Sequence, residues 1–148
     1  MKPLLLALSL ALLPGIALAN DAIQISAAWA RASILPSRPG AAYLTLQSEQ
    51  GDRLLQVTSP MAKTIMIHQV LESDGVSRMM HLPALDLQPG QALAMAPGHL
   101  HLMMMGLTEK LVEGTEFPLV LQFEDAGDVS VNVSVLGIAA LGPAEVVQ

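Results

Sequence analysis

The sequence predicts an all-β fold, a sandwich or a Greek-key barrel, and three observations carry that expectation. No segment repeats its apolar residues with a 3.6-residue period over three turns, as a packed helix would. Short apolar runs recur instead. Each is closed by Gly, Pro, Asp or Ser, the residues that turn a chain.

The chain opens with Lys2, the run "LLLALSLALLP", Gly15-Ile16 and then "ALA" before Asn20. One positive charge, an apolar stretch and small residues at Ala17 and Ala19 make a secretory signal peptide, with cleavage expected after Ala19. The stretch is broken by Pro14 and Gly15. It is shorter than the roughly 20 residues a bilayer-spanning helix needs. Residues 20–148 are therefore expected as one domain with no membrane span in the mature form.

Nine strands are expected in order: 22–30, 41–47, 53–58, 64–72, 76–81, 91–96, 99–105, 117–124 and 128–138. The turn signals between them are "PSRPG", "EQGD", "SDG", "LQPG", "APG", "EGTEFP" and "EDAGD". "SILPSRPG" (33–40) is expected as a surface loop. In the last strand Val129, Val131, Val133 and Val135 alternate with Ser130, Asn132 and Ser134, which suits an outer strand with one solvated face. Trp29, Tyr43, Phe117 and Phe123 are the large aromatics, and each is expected to pack structurally.

Composition removes several functions. The net charge is -6 and the seven basic residues are scattered singly, whereas nucleic acid rewards clustered Lys and Arg. There is no cysteine, which excludes a blue-copper site because that site needs a thiolate. Soft-metal chemistry is left to imidazole and thioether.

Those two groups are concentrated. All four histidines lie between His68 and His101, and every methionine but the initiator lies between Met61 and Met105. Side chains on a strand alternate faces, so in 99–105 His99, His101, Met103 and Met105 share one face. Leu100, Leu102 and Met104 share the other, expected to be the core side.

A second group comes from "TIMIHQVLESDGVSRMMHL", where Asp74-Gly75 lies between two apolar-rich runs and signals a two-residue hairpin. With that turn Ser73 pairs with Val76, Val70 with Met79 and His68 with His81. Met79 then lies diagonal to His68 on one face, within reach of a long side chain. Two imidazole–thioether pairs emerge, His68 with Met79 and His101 with Met103. Such donors select copper, especially Cu(I), over Mg, Ca or Zn.

The spacing His68-x10-Met79-x21-His101-x-Met103 resembles the H-x10-M-x21-H-x-M pattern of periplasmic copper chaperones, the PCuAC family. "AWARAS" near Trp29, "AAYLTL" around Tyr43, "DGV" at 74–76, Pro97 to Leu107 and "LVEGTEFPLVLQFEDAG" extend the likeness over nearly all of 22–138. The resemblance implies a cupredoxin-like Greek-key β-sandwich in the periplasm holding one Cu(I) through His68, Met79, His101 and Met103. It further implies delivery towards the copper centre of cytochrome c oxidase, with an oxidase subunit or a thiol-bearing chaperone as partner, and no catalysis.

The chain departs from the pattern in three places. His99 stands where a second glycine is common, His81 where no histidine is expected, and Met66 where a carboxylate is common. His81, His99 and Met105 are thus candidates for a secondary metal contact or a supporting shell, the histidines offering a mode suited to Cu(II). Met66, Met80, Met95 and Met61 are expected as packing or exposed neighbours. An alternative enzyme reading groups His99, His101 and His68 or His81 as a three-histidine zinc site with an open position for water. It leaves the methionines idle.

Overall fold

The computed structural model describes residues 22–143. The leader expected over 1–19 lies outside them. The described residues form ten strands and no helix: β1 (Ile23–Arg31), β2 (Gly40–Ser48), β3 (Asp52–Thr58), β4 (Ala62–Ser73), β5 (Val76–Leu82), β6 (Leu85–Leu87), β7 (Ala92–Ala94), β8 (His101–Leu107), β9 (Glu116–Phe123) and β10 (Gly127–Leu136). The expected strands match all of these but β6, with ends shifted by at most a few residues.

Hydrogen bonding runs β5-β4-β8-β2-β1-β10-β9-β3-β6, with β7 on β2. Every pairing is antiparallel except β1 with β10. Strands from both ends of this path feed one core: Ile67 of β4 and Leu102 of β8 join Leu54 of β3 and Leu85 of β6. The path therefore folds over on itself, and the molecule is the all-β, cupredoxin-like sandwich that the sequence implied.

Period-two patterning explains which side each strand buries. On β9 Phe117, Leu119, Leu121 and Phe123 are all buried while Glu116, Pro118 and Gln122 are exposed. On β8 Leu102 and Met104 have no exposed surface. Burying each such side chain contributes about 1.5–3 kcal/mol relative to leaving it in water.

The last strand departs from expectation in its neighbours. One face is solvated, with Asp128, Ser130 and Asn132 exposed, yet β10 lies between β1 and β9 rather than at an edge. Alternation reports which face is wet. It carries nothing about what lies alongside.

A bulge interrupts β1, two strands away from His101 on β8. The pairing of β1 with β2 slips by one residue between Ser26 and Trp29, and Ala27 takes a left-handed φ of 48°. Beyond the slip Trp29 pairs with Tyr43, the rings stacked at 4.4 Å between centroids. Both are buried, and burial raises the Tyr43 phenol pKa, partly offset by the Arg31 charge. Arg31 Nε donates to the Ala140 carbonyl at 2.7 Å and braces the segment that follows β10.

Candidate metal centre

The site is built on three adjacent strands, β5, β4 and β8. Asp74 and Gly75 have φ of 54° and 75°, the pair of left-handed residues that a type I′ turn requires. This turn sets the β4–β5 register deduced from the sequence: Ser73 opposite Val76, Val70 opposite Met79 and His68 opposite His81. On the other side of β4, His68 pairs with His101 and Met66 with Met103.

Alternation then sorts the side chains. Ile65, Ile67, Leu102 and Met104 pack into or against the core. Met66, His68 and Val70 of β4, His101, Met103 and Met105 of β8, and Met79 and His81 of β5 fall on the other face. The core packing of one parity fixes the outward direction of the other.

Three imidazoles form a row across this face. His68 lies at 5.8 Å between ring centroids from His81 and from His101, edge-on to both. His68 and His101 are buried, at 9% and 6% exposure, whereas His81 is exposed. Met79 arches over from the hairpin arm and remains 53% exposed. Its Sδ is 3.1 Å from His68 Nδ1, so the diagonal contact expected from the register is made. Met103 and Met105 are half-buried.

The ring of His101 is oriented by the backbone. Its Nδ1 lies 3.0 Å from the His99 carbonyl oxygen, which can only accept, so Nδ1 carries the proton and the Nε2 lone pair is left free. The same carbonyl accepts from the Val70 amide at 3.3 Å. That orienting carbonyl was not identified from the sequence. The Pro97-Gly98 turn ahead of it, with Gly98 at φ 82°, was the available signal.

His99 corrects one expectation. β8 begins at His101, and His99 sits in the bend before it with its side chain exposed, its amide bonded to Ala96. Strand parity therefore does not apply to His99, and it is its carbonyl that meets the His101 ring.

Burial lowers the pKa of His68, and the neighbouring His101 and His81 lower it further. All three effects favour the neutral ring, the form that can donate a lone pair to a metal. Among the described residues no group of three or more His, Cys, Asp or Glu is arranged to hold an ion. The non-thiolate soft donors are what the site offers.

Residues 23–135 match the LpqE-like family model, described as "Putative lipoprotein LpqE-like". A relative from Leifsonia xyli subsp. xyli (strain CTCB07), "Putative lipoprotein Lxx21020", is 29% identical over 118 residues, spanning 78% of this chain and 70% of its own length. Among solved structures, Cu(I)-DR1885 from Deinococcus radiodurans is 28% identical with a TM-score of 0.60, covering 79% of this chain and 81% of that one. The copper-bound PCuAC domain from PmoF2 has a TM-score of 0.66 at 24% identity, covering 78% and 93%, a likeness of fold. With the match running from the first strand almost to the end of the last, the chain belongs to the LpqE-like family and carries the PCuAC fold.

Proposed function

We propose that this protein is an exported copper chaperone that binds one Cu(I) through His68, Met79, His101 and Met103. The observation that carries the proposal is the 3.1 Å approach of Met79 Sδ to His68 Nδ1, made across a hairpin whose far strand pairs His68 with His101. A buried imidazole faced by a thioether from an exposed arm is the start of a chelate. The name of the 28% identical relative, Cu(I)-DR1885, supports the choice of ion.

The donor set suits carriage rather than catalysis. Thioethers are neutral, soft and weakly held, so they exchange without a proton being moved. Delivery is to a copper-accepting protein, a cytochrome c oxidase subunit or a thiol-bearing chaperone, in the periplasm. The 148 residues contain no cysteine, so a lipid carried on a cysteine sulfur has no acceptor among them.

An anaerobic competition between the protein and a chromophoric Cu(I) chelator, repeated with Zn(II), tests this. One tight Cu(I) per chain, weakened sharply by Met79→Ala and by Met103→Ala, is the expected result. Tight Zn(II) with indifferent methionine variants would overturn it.

A further inference from the structure

The ligand face carries more thioethers than one Cu(I) chelate uses. Met66 pairs directly with Met103, and Met105 follows Met103 on the same strand and opposite Thr64. All three are half-buried rather than sealed in the core. Met104, between Met103 and Met105 in sequence, is wholly buried on the other face. Met66 also lines an open cleft of about 350 Å³ with His81, so packing does not cap it.

Directly paired strand residues have Cβ atoms about 4.5–5.5 Å apart, and diagonal ones remain within reach of long side chains. Met has three rotatable bonds before its methyl group and adapts to irregular surroundings. Three sulfurs at these positions can therefore converge on one ion beside the imidazole row.

We infer that Met66, Met103 and Met105 form a second, all-thioether position for a d10 monovalent ion, to which Cu(I) moves from the two-histidine site without leaving the protein. The inference rests on the Cu(I) reading above. Met103 belongs to both sets and stays attached. The bonds to His68, His101 and Met79 break and bonds to Met66 and Met105 form, with no electron and no proton transferred. The move exchanges a buried imidazole floor for flexible sulfur donors, where an incoming soft donor has easier access.

The test uses protein carrying 13C-methyl methionine, with Ag(I) as a redox-inert d10 probe. In a His68→Gln/His101→Gln variant, one equivalent of Ag(I) is expected to shift the Met66, Met103 and Met105 methyl resonances and leave Met104 and Met95 unmoved. Unmoved Met66 and Met105 resonances would overturn the inference. Because that variant removes two buried rings, a volume-conserving Met66→Leu/Met105→Leu variant of the otherwise native chain provides a second arm. There, capture of bound Cu(I) by a chelator is expected to slow severalfold, and an unchanged rate would also overturn the inference. Failure of the two-histidine reading shows separately, as a first equivalent of Ag(I) on the native chain that leaves the Met79 methyl unmoved.

Discussion

Met79 and Met104 are chemically identical side chains to which the fold gives opposite work, and substituting each by alanine separates binding from folding. Met79 stands on the hairpin arm with 53% of its surface exposed, and its sulfur faces His68 Nδ1. Truncating it removes about half of a full burial contribution at most, so metal-free stability is expected to fall by no more than about 1.5 kcal/mol. Copper affinity should fall much further. Even loss of a group that only supports a ligand costs about 10–100-fold in metal affinity, and loss of a ligand should cost at least that, about 1.4–2.7 kcal/mol. Met104 has no exposed surface and lies on the core side of β8. Its truncation leaves a cavity and should cost about 2–5 kcal/mol, with the folded fraction keeping its copper affinity within a small factor. Metal-free denaturant titration reads the first quantity and anaerobic Cu(I) competition the second. If Met104→Ala loses affinity while keeping stability, or Met79→Ala does the reverse, the assignment of faces by alternation is wrong.

Four further outcomes follow from single features of the structure. Because the His68 pKa is depressed by burial and by its two histidine neighbours, the unfolded chain takes up a proton that the folded chain refuses. Metal-free stability should therefore fall as pH drops below the ordinary imidazole value of about 6.5, and a His68→Gln variant should lose less between pH 7 and pH 5 in urea melts. Proton competition at His68 likewise sets in below that ordinary value, so Cu(I) affinity should decline at the acid end of the same range; a flat profile there would count against imidazole ligation. Gly75→Ala puts a Cβ into open space but at φ 75°, so its cost is backbone strain alone, about 1–2 kcal/mol, seen as faster hydrogen exchange of the β4–β5 arm. Trp29→Ala should cost about 3–5 kcal/mol by thermal or denaturant melt, since it removes a buried ring and leaves Tyr43 unstacked.

The hairpin was legible in the sequence because its turn is decided locally. Two adjacent left-handed residues are costly for most side chains, and Asp74-Gly75 accepts them. Once the turn is placed, every partner on β4 and β5 follows, including the diagonal from Met79 to His68. The face assignment on β8 was legible for the same kind of reason, since Leu102 and Met104 are the apolar parity. What could not be read depends on contacts distant in sequence or on the backbone. The parallel pairing of β10 with β1 joins residues about a hundred positions apart and leaves no local mark. β6 has only three residues, too few for alternation to register. The slip at Ala27 hides because alanine is not a residue whose presence announces a left-handed φ. The carbonyl that orients His101 belongs to a residue whose side chain drew attention away from its main chain.

Burial is graded across the proposed chelate, and the grading bears on how copper could both stay and leave. The imidazoles of His68 and His101 are held by buried strands, and His101 has its tautomer fixed by a main-chain oxygen. Those two donors need little reorganisation to bind, which favours retention. Met79 is carried instead on an arm whose residues from Leu71 to Met80 are all exposed, so its sulfur can swing away without disturbing the core. Loss of one neutral thioether opens a coordination position while two imidazoles still hold the ion, and Met66 or Met105 of the same face can fill that position before either histidine lets go. The order of bond breaking is thereby written into the order of exposure. Stiffening the arm with a disulfide between positions 71 and 78, which face each other across β4 and β5, should slow Cu(I) transfer to a chelator while leaving the His68–His101 floor intact. Faster or equal transfer in the oxidised form than in the reduced form would refute that order.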